Sequence, residues 1–160
     1  MPSEVKSIVI GRGSTRHAKT LESVHATSFE SSWDAHSISG WISHPHGFSA
    51  MAMEQRQSPP FAFALALAAG DNAELLTIAV GRDYRQTGVA RKLVAFLDQQ
   101  ADDLGLERWM LEVARDNDAA KKLYTSLGFE EVGVRRNYYR ESTGAVDALV
   151  MTAAVGRLQV

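Results

Sequence analysis

An α/β fold is predicted, with hairpins early in the chain and strand–helix–strand units at its centre. Three observations predict it. Phe48 to Glu54 and Phe61 to Ala68 are two apolar runs separated by a turn from Arg56 to Pro60, the pattern of a hairpin. From Val89 onward apolar residues recur at helical spacing. The strand-like runs Glu74 to Val80 and Trp109 to Val113 bracket that helix.

At 160 residues the chain fits a single domain, residues 1–160, with room for a core of its own. Hydrophobic residues at 45% and charged residues at 22% are ordinary for a soluble protein. No apolar run approaches the roughly 20 residues that span a bilayer, and the N-terminus lacks the pattern of a secretory signal, so no membrane partner is expected. Cysteine is absent, which excludes disulfides, thiolate metal sites and a cysteine nucleophile and agrees with a cytoplasmic location. A formal charge of −2 gives no global attraction to nucleic acid.

In chain order, Val5 to Ile10 reads as a short strand closed by Gly11-Arg12-Gly13. A dinucleotide fingerprint would need its third glycine where Arg16 stands, so that reading is discarded. A helix follows from Thr15 or Arg16 to Phe29, with Leu21, Val24 and His25 on one face. A second helix starts at Asp34, a capping type of residue, and carries Ile38, Trp41 and Ile42. His44-Pro45-His46-Gly47 is a solvated loop; its two histidines have no third ligand at sensible spacing, and no metal is expected.

Phe48 to Glu54 and Phe61 to Ala68 read as half-buried strands, and Gly70-Asp71-Asn72 as the turn before the next strand. In the long helix Val89, Leu93, Phe96, Leu97 and Leu104 share one face while Arg91, Lys92, Asp98 and Gln99 lie elsewhere, and Gly105 ends it. Asn117 or Asp118 caps a short helix from Ala119 to Leu127 that Gly128 closes. Phe129 to Arg136 and Val146 to Ala153 are two last strands, joined through Tyr138-Tyr139 and a turn at Gly144.

Chemistry concentrates between Leu75 and Tyr124. In Arg85-Gln86-Thr87-Gly88-Val89-Ala90, the glycine turns the backbone so that N–H groups converge at the positive end of a helix dipole. That is a phosphate cradle, or else a plain turn. No Gly-Lys-Ser/Thr follows, so a nucleoside-triphosphate loop is excluded. Glu112 lies inside the apolar run WMLEV. A buried carboxylate there is costly unless it works as a base; the alternative is an edge strand that turns it to solvent. Tyr124 sits on the apolar face of its helix, as a core aromatic whose phenol needs a hydrogen-bond partner.

The string R/Q-x-x-G-x-G/A between an apolar strand and a long helix resembles the coenzyme A signature of the GNAT superfamily of acyl-CoA-dependent N-acyltransferases, and the likeness runs from about Ala18 to Met151. It implies the GNAT fold: a mixed, mostly antiparallel sheet of about six to seven strands flanked by about four helices, splayed between its two central strands. It also implies acetyl-CoA as cosubstrate. Ile78, Ala79 and Val80 would meet the pantetheine arm through their backbone. Arg85, Gln86, Thr87, Gly88, Val89 and Ala90 would hold the pyrophosphate, and Arg91 or Lys92 the 3′-phosphate. Asn117 would bond the pantetheine.

Glu112-Val113 with Asn117, the string Leu123-Tyr124-x-x-Leu127-Gly128-Phe129, and Arg135-Arg136-Asn137-Tyr138-Tyr139 are similar to the ribosomal-protein-alanine N-acetyltransferase (RimI) branch. Ser32-Trp33 is similar to that branch's Pro-Trp segment, with serine in place of proline. This resemblance implies Glu112 as general base and Tyr124 as general acid toward the sulfur. It also implies a protein N-terminus as acceptor, the alanine of a small-subunit ribosomal protein, with Trp33, Tyr138 and Tyr139 walling its channel. Acidity favours such an acceptor: an α-amine is roughly one-seventh neutral at pH 7, a lysine well under one part in a thousand. With no cysteine to carry an acyl group, transfer is direct. The rival expectations are a small-molecule amine or a lysine as acceptor, with a cleft built from Trp41 to Pro60, and a non-catalytic acyl-CoA sensor. The arginines at 82, 85 and 91 and at 135, 136 and 140 otherwise read as solvated charge.

Overall fold

A computed structural model describes residues 7–160. Seven strands, β1 (Val9–Gly11), β2 (Gly47–Met53), β3 (Ala62–Ala69), β4 (Asn72–Val80), β5 (Arg108–Ala114), β6 (Glu130–Glu141) and β7 (Gly144–Ala154), form one sheet in the order β1-β2-β3-β4-β5-β7-β6. Four α-helices accompany it: α1 (Ala18–Ala26), α2 (Ala35–Ile42), α3 (Val89–Asp103) and α4 (Asp118–Leu127). The expected mixed, mostly antiparallel sheet is present, and β4–β5 is its parallel pair. Of the first predicted strand, Val5 and Lys6 lie outside the described residues.

Local signals set the helix ends. Asp34 accepts from the Ser37 N–H at 2.8 Å and caps α2. Asn117 accepts from the Ala120 N–H at 3.2 Å and caps α4. Gly128 closes α4 at φ +100°, a conformation that costs glycine nothing and other residues about 1 kcal/mol or more.

The sheet is covered on both faces, which corrects the half-buried reading of β2 and β3. Their pattern alternates large with small rather than apolar with polar. Met51, Met53, Phe63 and Leu65 pack with Leu21 of α1 and Ile38 of α2. Ala50, Ala52, Ala62, Ala64 and Ala66 belong to the opposite core, with Val89, Leu93 and Leu97 of α3. Alanines on that face let the α3 backbone lie close to the strands.

Two residues that the spacing assigns to the long helix fall elsewhere than predicted. Leu104 follows the last helical residue, immediately before Gly105 turns left-handed at φ +72°, and stands 58% exposed. Asp98 is buried because its carboxylate accepts from Trp109 Nε1–H at 2.8 Å and from the Gly156 N–H at 3.0 Å. Tyr138 and Tyr139 are not in a loop either. β6 runs on through them to Glu141, past a register shift between Arg135 and Tyr139 where Asn137 takes φ +52°. Among the described residues, no helix is long and apolar enough to cross a membrane, and no group of three or more His, Asp and Glu is placed to hold a metal ion.

Candidate active site

β4 and β5 pair over only four positions, from Asn72 with Arg108 to Leu75 with Leu111. Beyond them the strands part. β4 stays paired to β3 as far as Val80, and β5 stays paired to β7 as far as Ala114. The gap opens a cleft of about 760 Å³, lined on one side by Leu75 to Ile78 and on the other by Leu111 to Ala114. Backbone groups along the parted edges have no strand partner across the gap and are free to bond a ligand.

The cleft brings together Ile78, Glu112, Asn117, Tyr124, Trp33, Tyr138 and Tyr139, residues scattered over more than a hundred positions of the chain. None of residues 43–60 lines it. Glu112 is on an inner strand, not an edge, but beyond Leu111 that strand has lost its β4 neighbour, and the carboxylate enters the cleft about one quarter exposed, at 27%. Its Oε1 accepts from Arg135 Nη1 at 2.5 Å, and the same guanidinium lies 4.6 Å from the centre of the Tyr138 ring. A hydrogen bond to the Glu112 carboxylate, and then its charge, raise the pKa of the Tyr138 phenol. Tyr139 O–H donates to the Glu112 carbonyl at 3.2 Å; burial, followed by the Glu112 charge, pushes its phenol up to about 12.

Tyr124 projects from α4 with its ring edge-on to Phe129, centroids 5.7 Å apart. It is 8% exposed and lines the cleft. Burial, then the neighbouring Tyr139, raise its pKa well above the ordinary phenol range, so the hydroxyl stays protonated at any working pH.

The 85–91 segment follows the parted end of β4 and does not line the cleft. Gln86 at φ +60° and Gly88 at φ +82° fold the loop onto the start of α3. A Cβ at Gly88 would meet no atom within 4 Å, so glycine is there for its backbone conformation and leaves open space outside. Gly88 precedes the first turn of α3, where N–H groups lack helical partners. Thr87 Oγ1 donates to the Tyr84 carbonyl, and Val89 is buried beneath the turn. Two arginines of the segment are engaged elsewhere. Arg85 donates to the carbonyls of Val80 (3.0 Å) and Thr27 (2.9 Å) and to Ser28 Oγ (3.2 Å). Arg91 donates to the Gln159 carbonyl at 2.8 Å and to Ser126 Oγ at 2.5 Å.

A second depression, of about 480 Å³, is lined by Arg115, Val134, Arg136, Asn137 and Asp147. It lies across the sheet from Glu112: Val134 pairs with Leu149, whose other partner is Val113, one residue from Glu112 and on the other face. Its Asp147 is occupied by the Asn137 N–H at 2.9 Å and Arg115 at 3.7 Å.

His25 and Thr77 are cleft residues that the sequence did not mark as functional. The imidazole is 2% exposed, with Nε2 3.1 Å from Thr77 Oγ1 and Nδ1 accepting the Trp33 N–H at 3.1 Å. Burial lowers its pKa from 6.5 to about 4. The unfolded chain binds this proton more readily, so the stability gained by keeping the ring neutral is complete above about pH 6.5 and is lost as pH falls through about 4. Unfolding by urea is expected to require about 3 kcal/mol less at about pH 4 than at pH 7 through this group, and His25→Gln should remove most of that slope.

Residues 18–129 match the acetyltransferase (GNAT) family. The chain belongs to that family. The likeness read from Arg85 to Ala90 and from the strings after it is borne out. The chain is 40% identical over 94 residues to the ribosomal protein bS18-alanine N-acetyltransferase of Escherichia coli (strain K12), a stretch covering 59% of this chain and 64% of that protein. The enzyme of the same name from Haemophilus ducreyi is 36% identical over 92 residues, 58% of this chain and 63% of that protein. The matches thus span a little under two thirds of the length of these curated relatives. The crystal structure of the Escherichia coli ribosomal-protein-S18-alanine N-acetyltransferase superposes with a TM-score of 0.84 at 28% identity, over 93% of this GNAT chain and 94% of the other. Arabidopsis thaliana NAA60, solved in complex with acetyl-CoA, shares the GNAT fold at 16% identity, with a TM-score of 0.82 over 93% and 99% of the two chains.

Proposed function

We propose that this protein transfers the acetyl group of acetyl-CoA to a protein N-terminus, the acceptor being the N-terminal alanine of ribosomal protein bS18. The observation that carries the proposal is the convergence of Glu112 and Tyr124 on one cleft at the parting of β4 and β5. The likeness to the bS18-alanine enzymes supports the choice of acceptor.

The residues fit the cosubstrate. The parted β4 edge at Ile78, Ala79 and Val80 suits the amide-bearing arm, although the Val80 carbonyl is engaged by Arg85 in this structure. The turn from Arg85 to Val89 and the first residues of α3, Ala90 and Arg91, offer backbone donors at a positive helix end for the pyrophosphate. Asn117 spends its side-chain oxygen on capping α4 and keeps its amide N–H groups for the ligand. Bound acetyl-CoA supplies an activated acetyl thioester.

The protein's own part is proton movement and orientation. Glu112 takes the proton shed by the attacking amine, directly or through water, as the new C–N bond forms. Tyr124 gives a proton to the sulfur as the C–S bond breaks. A phenol of raised pKa is a reluctant acid in water, but the same dry cleft also raises the basicity of a sulfur leaving as an anion, so the donor and acceptor shift together. Trp33, Tyr138 and Tyr139 form the acceptor walls.

Release of coenzyme A is the assay. A peptide with a free N-terminal alanine should turn over, and the same peptide blocked at its N-terminus but carrying a lysine should not. Turnover of the lysine peptide alone would overturn the N-terminal acceptor. Binding of acetyl-CoA with neither peptide consumed would leave a small-amine acceptor or a sensor.

A further inference from the structure

The α1–α2 connection, residues 27–34, holds no helix or strand, yet Ser28, Phe29, Glu30, Ser31 and Trp33 wall the cleft. A wall made of irregular chain needs fastening to keep a fixed width. It is fastened at both ends. Near Thr27 and Ser28 the fastener is Arg85, through the contacts given above. At Trp33 it is His25.

The hydrogen bonds fix the state of that ring. A backbone N–H can only donate, so Nδ1 of His25 holds a lone pair toward Trp33 and the ring proton sits on Nε2. Nε2–H therefore donates to Thr77 Oγ1. Thr77 lies on β4 two residues past Leu75, the last position paired with β5. The ring also stacks with two aromatic side chains of the connection, Phe29 at 4.4 Å and Trp33 at 5.3 Å. One neutral imidazole thus joins the loop wall to the free part of β4.

We infer that His25 is a positioning residue for the acceptor. By clasping Trp33 to Thr77 it fixes the spacing between the 27–34 wall and the parted strand, and so the width of the groove that takes the acceptor's first residues. The inference rests on the N-terminal acceptor proposed above. It assigns His25 no contact with the reacting atoms and no part in holding acetyl-CoA.

Three variants test it. A glutamine reproduces a donor near Nε2 but offers no acceptor where Nδ1 stood, so His25→Gln keeps the Thr77 end and frees Trp33. Thr77→Val preserves shape and removes the other end, and Thr77→Ser restores the hydroxyl. Steady-state constants are measured for a peptide with an N-terminal alanine and for acetyl-CoA, alongside hydrogen exchange of the Trp33 amide by NMR.

His25→Gln is expected to speed Trp33 exchange about tenfold and to raise the peptide KM about tenfold, with kcat and the acetyl-CoA Kd within about twofold. Thr77→Val should also raise the peptide KM, and Thr77→Ser should bring it back. If Trp33 exchange quickens while the peptide KM holds, the clasp does not position the acceptor and the inference falls. It falls equally if peptide KM, kcat and acetyl-CoA Kd all move together, since that marks general loosening. Should His25→Gln fail to fold, the Thr77 pair decides by the same constants. Failure of the proposed function is distinguishable, because then the unsubstituted protein consumes no N-terminal peptide; that result removes the inference with it.

Discussion

Glu112→Gln is expected to lower kcat by about 10²- to 10⁴-fold while acetyl-CoA affinity stays within about threefold. The substitution keeps the length and shape of the side chain and removes its ability to take a proton. It also dissolves the ion pair with Arg135. That guanidinium is 55% exposed and the carboxylate 27%, so the pair is solvent-screened and its loss should leave the melting temperature nearly unchanged. Activity and folding are thereby separable: an unchanged melting temperature with collapsed turnover marks a base. Single-turnover kinetics with saturating acetyl-CoA would check it, and a variant that kept wild-type turnover would remove Glu112 from the reaction.

Tyr124→Phe is the second large effect, a loss of about 10²-fold in kcat. The phenylalanine ring retains the contact with Phe129 and fills the same volume. Because the ring contact is kept and the phenol stands on the cleft wall, the substitution should cost under about 1 kcal/mol of stability. Acetyl thioesters of coenzyme analogues with more acidic thiols offer a sharper check, since a sulfur that leaves easily needs no donor. With such an analogue the gap between Tyr124→Phe and the unsubstituted protein should narrow. A constant gap would mean that the phenol orients substrate instead of supplying a proton.

Much of this architecture can be read from local sequence because local physics determines it. The spacing of Val89, Leu93 and Leu97 marks α3, and Asp34, Asn117 and Gly128 stand at helix ends where a capping oxygen or a left-handed backbone is needed. Long-range features are less visible. His25 meets Thr77 across 52 positions and Glu112 meets Arg135 across 23, and no periodicity foretells either pairing. His25 shows in the sequence only as one member of an apolar helix face. Tyr138 and Tyr139 look like a turn because β6 slips its register there, and Asn137, a residue at home in turns, supplies the positive φ. Asp98 reads as surface because its reason for burial, the Trp109 indole N–H, comes from another element.

Apart from the short edge strand β1, the four rungs that join β4 to β5 are also the narrowest joint among the described strands. On one side lies the antiparallel block β1 to β4, on the other the block β5, β7 and β6. Cleaving only those rungs would leave each block's internal ladders intact, so the joint is a crease along which the two leaves can flex against each other while neither unfolds. A molecule lying in the gap and bonding both leaves does mechanically what the missing rungs do not. A ligand held across both leaves turns that crease into part of the sheet's spine.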